Sequence, residues 1–179
     1  MGLRHLSGVP MNRLGHRMTQ LIIASLLGAC GGTYVPPPPP SEADALAYLN
    51  AVVDVAKTGD PTTLCSLGGG NCERTLREAG GIAGVPVGRP VVAGSVAIQP
   101  TRQANDSWNT GGRLLFVCVV NKEGRSVETD MLVFRNDAGK LISIEPVYWS
   151  GIQIDLTRAT SVGRAVRPVC GPTPASSPP

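Results

Sequence analysis

Nine apolar or small residues, Leu21-Ile-Ile-Ala-Ser-Leu-Leu-Gly-Ala29, end abruptly at Cys30 and divide the chain into two unlike parts. Upstream stand Arg4, Arg13, Arg17, His5 and His16 with no acid. Downstream, thirteen Lys and Arg face thirteen Asp and Glu, so the formal charge of +3 belongs to the leader. A nucleic-acid partner therefore has no compositional support. In helical form the nine residues reach only ~14 Å, about half of a ~30 Å hydrocarbon core, so they do not span a membrane. A basic stretch from Met11 to Gln20 followed by a short apolar run has the order of a signal peptide, and residues 1–29 are set aside from the fold on that ground.

The run closes on Leu27-Gly28-Ala29-Cys30. These residues resemble the lipobox of bacterial lipoproteins, in which Leu27, Gly28 and Ala29 would be read by the signal peptidase. The resemblance implies cleavage before Cys30, a diacylglycerol on its thiol and an N-acyl chain, typically palmitate, on its new amino group. Two or three acyl chains at ~0.8 kcal/mol per buried CH2 make a durable anchor. The expected location is the extracytoplasmic side of a cell membrane. The long lead from Met1 leaves Met11 and Met18 as alternative starts.

Residues 30–40 read as the lipidated cysteine and its tether. Gly31-Gly32 is flexible, and Pro36–Pro40 favours polyproline II at ~3.1 Å per residue, a spacing of roughly 20 to 30 Å from the lipid surface. At the other end, residues 171–179 have no apolar side chain larger than Ala or Pro and read as a disordered tail. One globular domain is expected over 41–156, with 157–170 a C-terminal segment. The 42% apolar content suits a single core.

Ser41 with Asp44 has the form of a capping box, and Leu46, Leu49, Val53 and Ala56 recur at helical steps, so a helix is expected over 43–57. Gly59 stops it. Asp60-Pro61 starts a short second helix that runs out in Gly68-Gly-Gly70, and Asn71 caps a third over 72–79. Four strands follow at 91–101, 113–120, 127–135 and 141–149, rich in β-branched and aromatic residues. Asn121–Gly124 and Asn136–Gly139 turn the last three into hairpins. In the third strand Val127, Thr129, Met131 and Val133 share one face, and Ser126, Glu128 and Asp130 the other.

The fold class is α+β, with N-terminal helices packed on a curved, cone-like antiparallel sheet of four strands. That order resembles the nuclear-transport-factor-two-like, or cystatin-like, superfamily. The residues carrying the likeness are the helix 43–57, the corner Thr58-Gly-Asp60 and the hairpins 113–149. Catalytic members of that superfamily usually place His, Asp or Tyr in the pocket of the cone, whereas no histidine follows Cys30 here.

Beyond Cys30 four cysteines remain, Cys65, Cys72, Cys118 and Cys170, an even number that in an exported chain reads as two disulfides. Three pairings are open. We favour Cys65 with Cys72 across the Gly-rich link, and Cys118 with Cys170, which clips the C-terminal segment to a central strand. Chain entropy values these loops at about 2.5 and about 4 kcal/mol. No C-x-x-C pair argues for zinc or a redox centre.

Without histidine the mature chain lacks the commonest general base and metal ligand. No cofactor is expected beyond the lipid on Cys30. Glu128 and Asp130 share a strand face at ~7 Å and read as a solvated surface rather than a hydrolytic pair. Trp108, Tyr148 and Trp149 are candidate partner contacts, or else core. The expected function is an envelope interaction or accessory module, with an envelope protein or wall polymer as partner. A carrier of small apolar ligands is the alternative, and an enzyme is third.

Overall fold

Ser41 ends the proline run in an extended conformation, and its hydroxyl accepts the amide of Asp44 at 3.1 Å, so helix α1 (Glu42–Thr58) begins there. The computed structural model describes residues 34–105, 107–154 and 168–170. The signal peptide, Leu27, Gly28, Ala29 and Cys30, most of the 157–170 segment and the tail 171–179 lie outside the described residues. The described residues from Pro36 onward form one compact unit.

α1 buries Leu49, Val53 and Ala56 of the expected stripe together with Ala45, Tyr48 and Val52, leaves Leu46 half-buried, and ends where Gly59 turns left-handed at φ 80°. Asp60 caps α2 (Pro61–Cys65) through the Thr62 amide at 3.0 Å. Asn71 does not cap α3 (Cys72–Glu78) with its side chain; the first turn closes on its carbonyl, which accepts from Thr75 at 3.1 Å. A 3-10 turn, Ile82–Gly84, follows.

The strands are β1 (Val91–Ile98), β2 (Thr101–Arg102), β3 (Trp108–Asn109), β4 (Gly112–Val120), β5 (Ser126–Arg135) and β6 (Leu141–Ser143). The fold is α+β: three α-helices and a four-stranded antiparallel sheet in the order β1-β4-β5-β6, with β2 and β3 forming a separate ribbon. Leu115, Val117 and Val119 of β4 and Met131 and Val133 of β5 fall in one buried cluster with the α1 stripe. Burying these side chains is worth about 1.5 to 3 kcal/mol for each large aliphatic.

Further local expectations are corrected. The last strand stops at Ser143 rather than Trp149: the Ser143 hydroxyl takes the Glu145 amide at 3.2 Å, and Pro146 has no N–H to offer a ladder. The strand expected over 91–101 breaks after Ile98, and the chain beyond it carries the β2–β3 ribbon. The Gly68–Gly70 link is no loose spacer, because Gly69 donates to the Ser143 carbonyl at 2.9 Å and Gly68 bridges β6 in parallel. Pro36 and Pro40 are buried, and Arg113 Nε donates to the Pro40 carbonyl at 2.9 Å, so the proline run is seated on the domain at both its ends.

Candidate functional site

Register places Glu128 opposite Cys118 and Asp130 opposite Phe116, on the sheet face away from the α1 cluster. Cys118 is joined to Cys170 with Cα atoms 5.8 Å apart, and Cys65 to Cys72 with Cα atoms 5.4 Å apart. Both pairs are the ones favoured from the sequence.

The Cys118 bridge explains what the two carboxylates do. Glu128 Oε1 accepts the Cys170 amide at 3.3 Å and Oε2 accepts Gln153 Nε2 at 3.4 Å. Asp130 Oδ2 accepts the Ile154 amide at 2.7 Å, and the Asp130 amide donates to the Ile152 carbonyl at 2.8 Å. Asp130 is 4% exposed, so this face is not the solvated one expected. A carboxylate buried this way requires hydrogen-bond donors, and the chain after β6 supplies them. The pair fastens the C-terminal chain to β5. The hollow between Phe116, Asp130, Pro168 and the bridge is about 10 Å3, room for no more than a single water.

The three aromatic candidates do not form one surface. Tyr148 is wholly buried and Trp149 is 6% exposed, their rings meeting edge to face at 4.9 Å. They close the core, as aromatics in a small domain often do. Burial pushes the Tyr148 phenol up to about 12, and among the described residues its hydroxyl has no hydrogen-bond partner, nor has Trp149 Nε1. Trp108 alone is half-exposed, on β3, directly opposite Arg102 on β2.

That cross-strand pair is the surface feature sequence reasoning missed. Gln103 donates to the Ser107 carbonyl at 2.8 Å, and the Asn105 side chain accepts from the Ser107 amide at 3.2 Å. The signal was there in Asn105 and Ser107, turn formers between two short extended pieces.

A second hollow of about 220 Å3 opens at the surface between α2 and α3, against Pro61, Thr62, Glu73, Leu76 and Arg77. Neither hollow reaches the ~300 Å3 of an ordinary small-ligand site. Among the described residues no group of three or more His, Cys, Asp or Glu is placed to hold a metal, and no helix is long and apolar enough to cross a membrane. No protein-family model, curated protein or solved structure matches this chain.

Proposed function

We propose that the protein is a lipoprotein of the cell envelope, anchored on the extracytoplasmic side through acylated Cys30, and that its domain works as an interaction or accessory module. The observation that carries this is one of order: a basic stretch, nine apolar or small residues, then Leu27-Gly28-Ala29-Cys30, in a chain whose four later cysteines pair as two disulfides. Paired cysteines persist in oxidising compartments, which agrees with export. On this reading the basic segment never reaches the mature protein, which is left with balanced charge and no histidine. Non-catalytic work suits the only carboxylate pair singled out, since both carboxylates hold chain segments. The apolar-carrier alternative has less support, because the hollows found are small or open.

We also take the domain to be cystatin-like, its helices lying on a curved sheet. The helix-then-meander order and the shared α1, β4 and β5 cluster support that.

Intact mass of the native protein tests the anchor. The expected species begins at Cys30, carries diacylglycerol and an N-acyl chain, and lacks four hydrogens for the two bridges. Cys30→Ser should leave the membrane fraction. A native protein that keeps residues 1–29, or carries no fatty-acid mass, overturns the proposal.

A further inference from the structure

The four-stranded sheet has two edges, and they are finished differently. At β6 the edge is closed: Gly69 donates to the Ser143 carbonyl at 2.9 Å, Ser143 donates to the Leu67 carbonyl at 3.4 Å, and Gly68 bridges Ser143 in parallel. At the other end stands β1, paired on one side with β4. Among the described residues no backbone hydrogen bond reaches its outer side. None of its eight residues is buried, and Val91 is 60% exposed.

Such an edge offers a row of unpaired N–H and C=O groups, which another extended backbone satisfies along its whole length. Proteins commonly blunt an edge with a charged side chain or an internal proline. β1 has neither: Val-Val-Ala-Gly-Ser-Val-Ala-Ile carries no charge, and Pro90 and Pro100 stand outside it. Its one irregularity is a bulge, where the register to β4 shifts between Val92 and Gly94. The regular part is therefore 94–98, about 17 Å of strand.

Pairing with β4 fixes the faces of that part. Ser95 and Ala97 oppose Leu115 and Arg113 on the α1 side, while Gly94, Val96 and Ile98 oppose Phe116, Leu114 and Gly112 on the other. Residues paired across a ladder share a face, so an antiparallel self-pairing has to centre on a residue and not between two. Centred on Val96 it uses all five regular residues: Val96 meets Val96 of the partner subunit, Ser95 meets the partner's Ala97, and Gly94 meets the partner's Ile98. No charge is buried by these pairs, and two β-branched side chains meet on the axis. The chain after Cys30 carries thirteen residues of each sign, so two copies approach without net repulsion.

We infer that β1 is a docking edge for a second copy of this chain, joined antiparallel about a two-fold axis at Val96 into one eight-stranded sheet. The association is closed. Each copy uses its open edge once, and the ends of the joined sheet are β6 edges, which residues 67–69 already cover. The inference goes beyond the interaction-module reading and does not rest on the lipid anchor, so a monomer of verified acyl mass would overturn it alone.

Sedimentation equilibrium of the native protein in density-matched detergent tests it. The mass should rise with concentration from one copy to two and stop there. Val96→Lys sets like charges on the axis and should weaken association at least about tenfold with an unchanged far-UV spectrum. Crosslinking gives a reading that does not depend on that variant: in this register the two Val96 Cα atoms stand about 4.5 to 5.5 Å apart, within disulfide reach. Val96→Cys should form a covalent dimer in mild oxidant, with both native bridges intact by peptide mapping, whereas Lys140→Cys, between β5 and β6, should not. A mass of one copy at every concentration overturns the inference. So does a mass that grows past two, a folded Val96→Lys protein that associates unchanged, or a Val96→Cys protein that crosslinks no more than the Lys140→Cys one.

Discussion

Arg135 and Asp44 lie 91 residues apart in the chain, and Arg135 Nη2 donates to Asp44 Oδ2 at 3.0 Å. One is the last residue of β5 and the other sits in the first turn of α1. Asp44 was expected to fold back on its own helix cap. It instead answers the helix dipole with its position and the sheet with its charge. The same guanidinium donates through Nη1 to the Gly139 carbonyl at 3.2 Å, so one side chain ties helix, strand and hairpin turn. Both partners are about a third or more exposed, which limits the pair to about 0.5 to 1 kcal/mol. Arg135→Ala should therefore lower the unfolding free energy in urea by about 1 kcal/mol, with a smaller loss at high salt. Arg135→Lys should restore only part, because an ammonium lacks the fork that serves both acceptors. A loss indifferent to salt would assign the effect to packing of the arginine stem.

Gly68 lies flat against Pro146, and a Cβ at that position would stand 2.4 Å from the proline Cδ and 2.7 Å from Cγ. A ring cannot swing aside as a flexible side chain does. Gly68→Ala should cost about 1 to 3 kcal/mol, the usual range for overpacking. Removing the ring should relieve it, so Gly68→Ala with Pro146→Ala should be less damaging than the sum of the single changes. Urea midpoints for the four proteins of this cycle give the coupling directly. Simple additivity would mean that the two residues do not bear on each other.

What the sequence made legible was what short-range rules decide. Ser41 and Gly59 bracket α1 to within a residue of its observed ends, and the hairpin glycines, Gly124 at φ 75° and Gly139 at φ 74°, sit where the turns need them. Both disulfide pairings were also favoured from loop logic. What stayed hidden was decided by distant chain. Asp130 alternates with apolar residues as a surface acid would, yet the Ile154 amide, 24 residues on, holds it under cover. Leu141 to Trp149 has strand composition, but Ser143 and Pro146 turn the chain inward, which takes Tyr148 and Trp149 into the core and removes two of three candidate contact residues. Periodicity reports which side chains want burial, and cannot say which distant backbone will come to satisfy them.

Tyr148 makes alkaline stability a readable quantity. Its phenol, desolvated by burial, is pushed up to about 12 from an ordinary value near 10. Between these values the unfolded chain has released the proton and the folded chain has kept it, so the unfolded state binds fewer protons and stability falls as pH rises. Below pH 10 the contribution is constant. Unfolding free energy should therefore decline from about pH 10 toward pH 12, and burial of Tyr48 acts in the same direction. Tyr148→Phe should flatten the decline. At pH 7 the same variant should lie within about 1 kcal/mol of the parent, because the buried hydroxyl has no partner among the described residues to lose. A large loss at neutral pH would mean that a bridging water satisfies that hydroxyl.

The two disulfides close loops of very different length, with sequence separations of 7 for Cys65–Cys72 and 52 for Cys118–Cys170. If each acts by restricting the unfolded chain, paired serine substitution should cost about 2.5 kcal/mol at the first and about 4 kcal/mol at the second. The carboxylates sharpen the comparison. Glu128 and Asp130 fasten the same C-terminal chain through the Cys170 and Ile154 amides, so loss of the longer bridge should leave residual attachment that Asp130→Asn then weakens. In the Cys118→Ser, Cys170→Ser background, proteolysis after residue 150 should speed up, and adding Asp130→Asn should speed it further. In the Cys65→Ser, Cys72→Ser background the same region should be cut no faster than global unfolding allows. If the short loop proves the costlier to open, the bridge there acts in the folded state. It would do so by holding Leu67 and Gly69 against Ser143, where the backbone contacts at 3.4 and 2.9 Å join the helical link to β6.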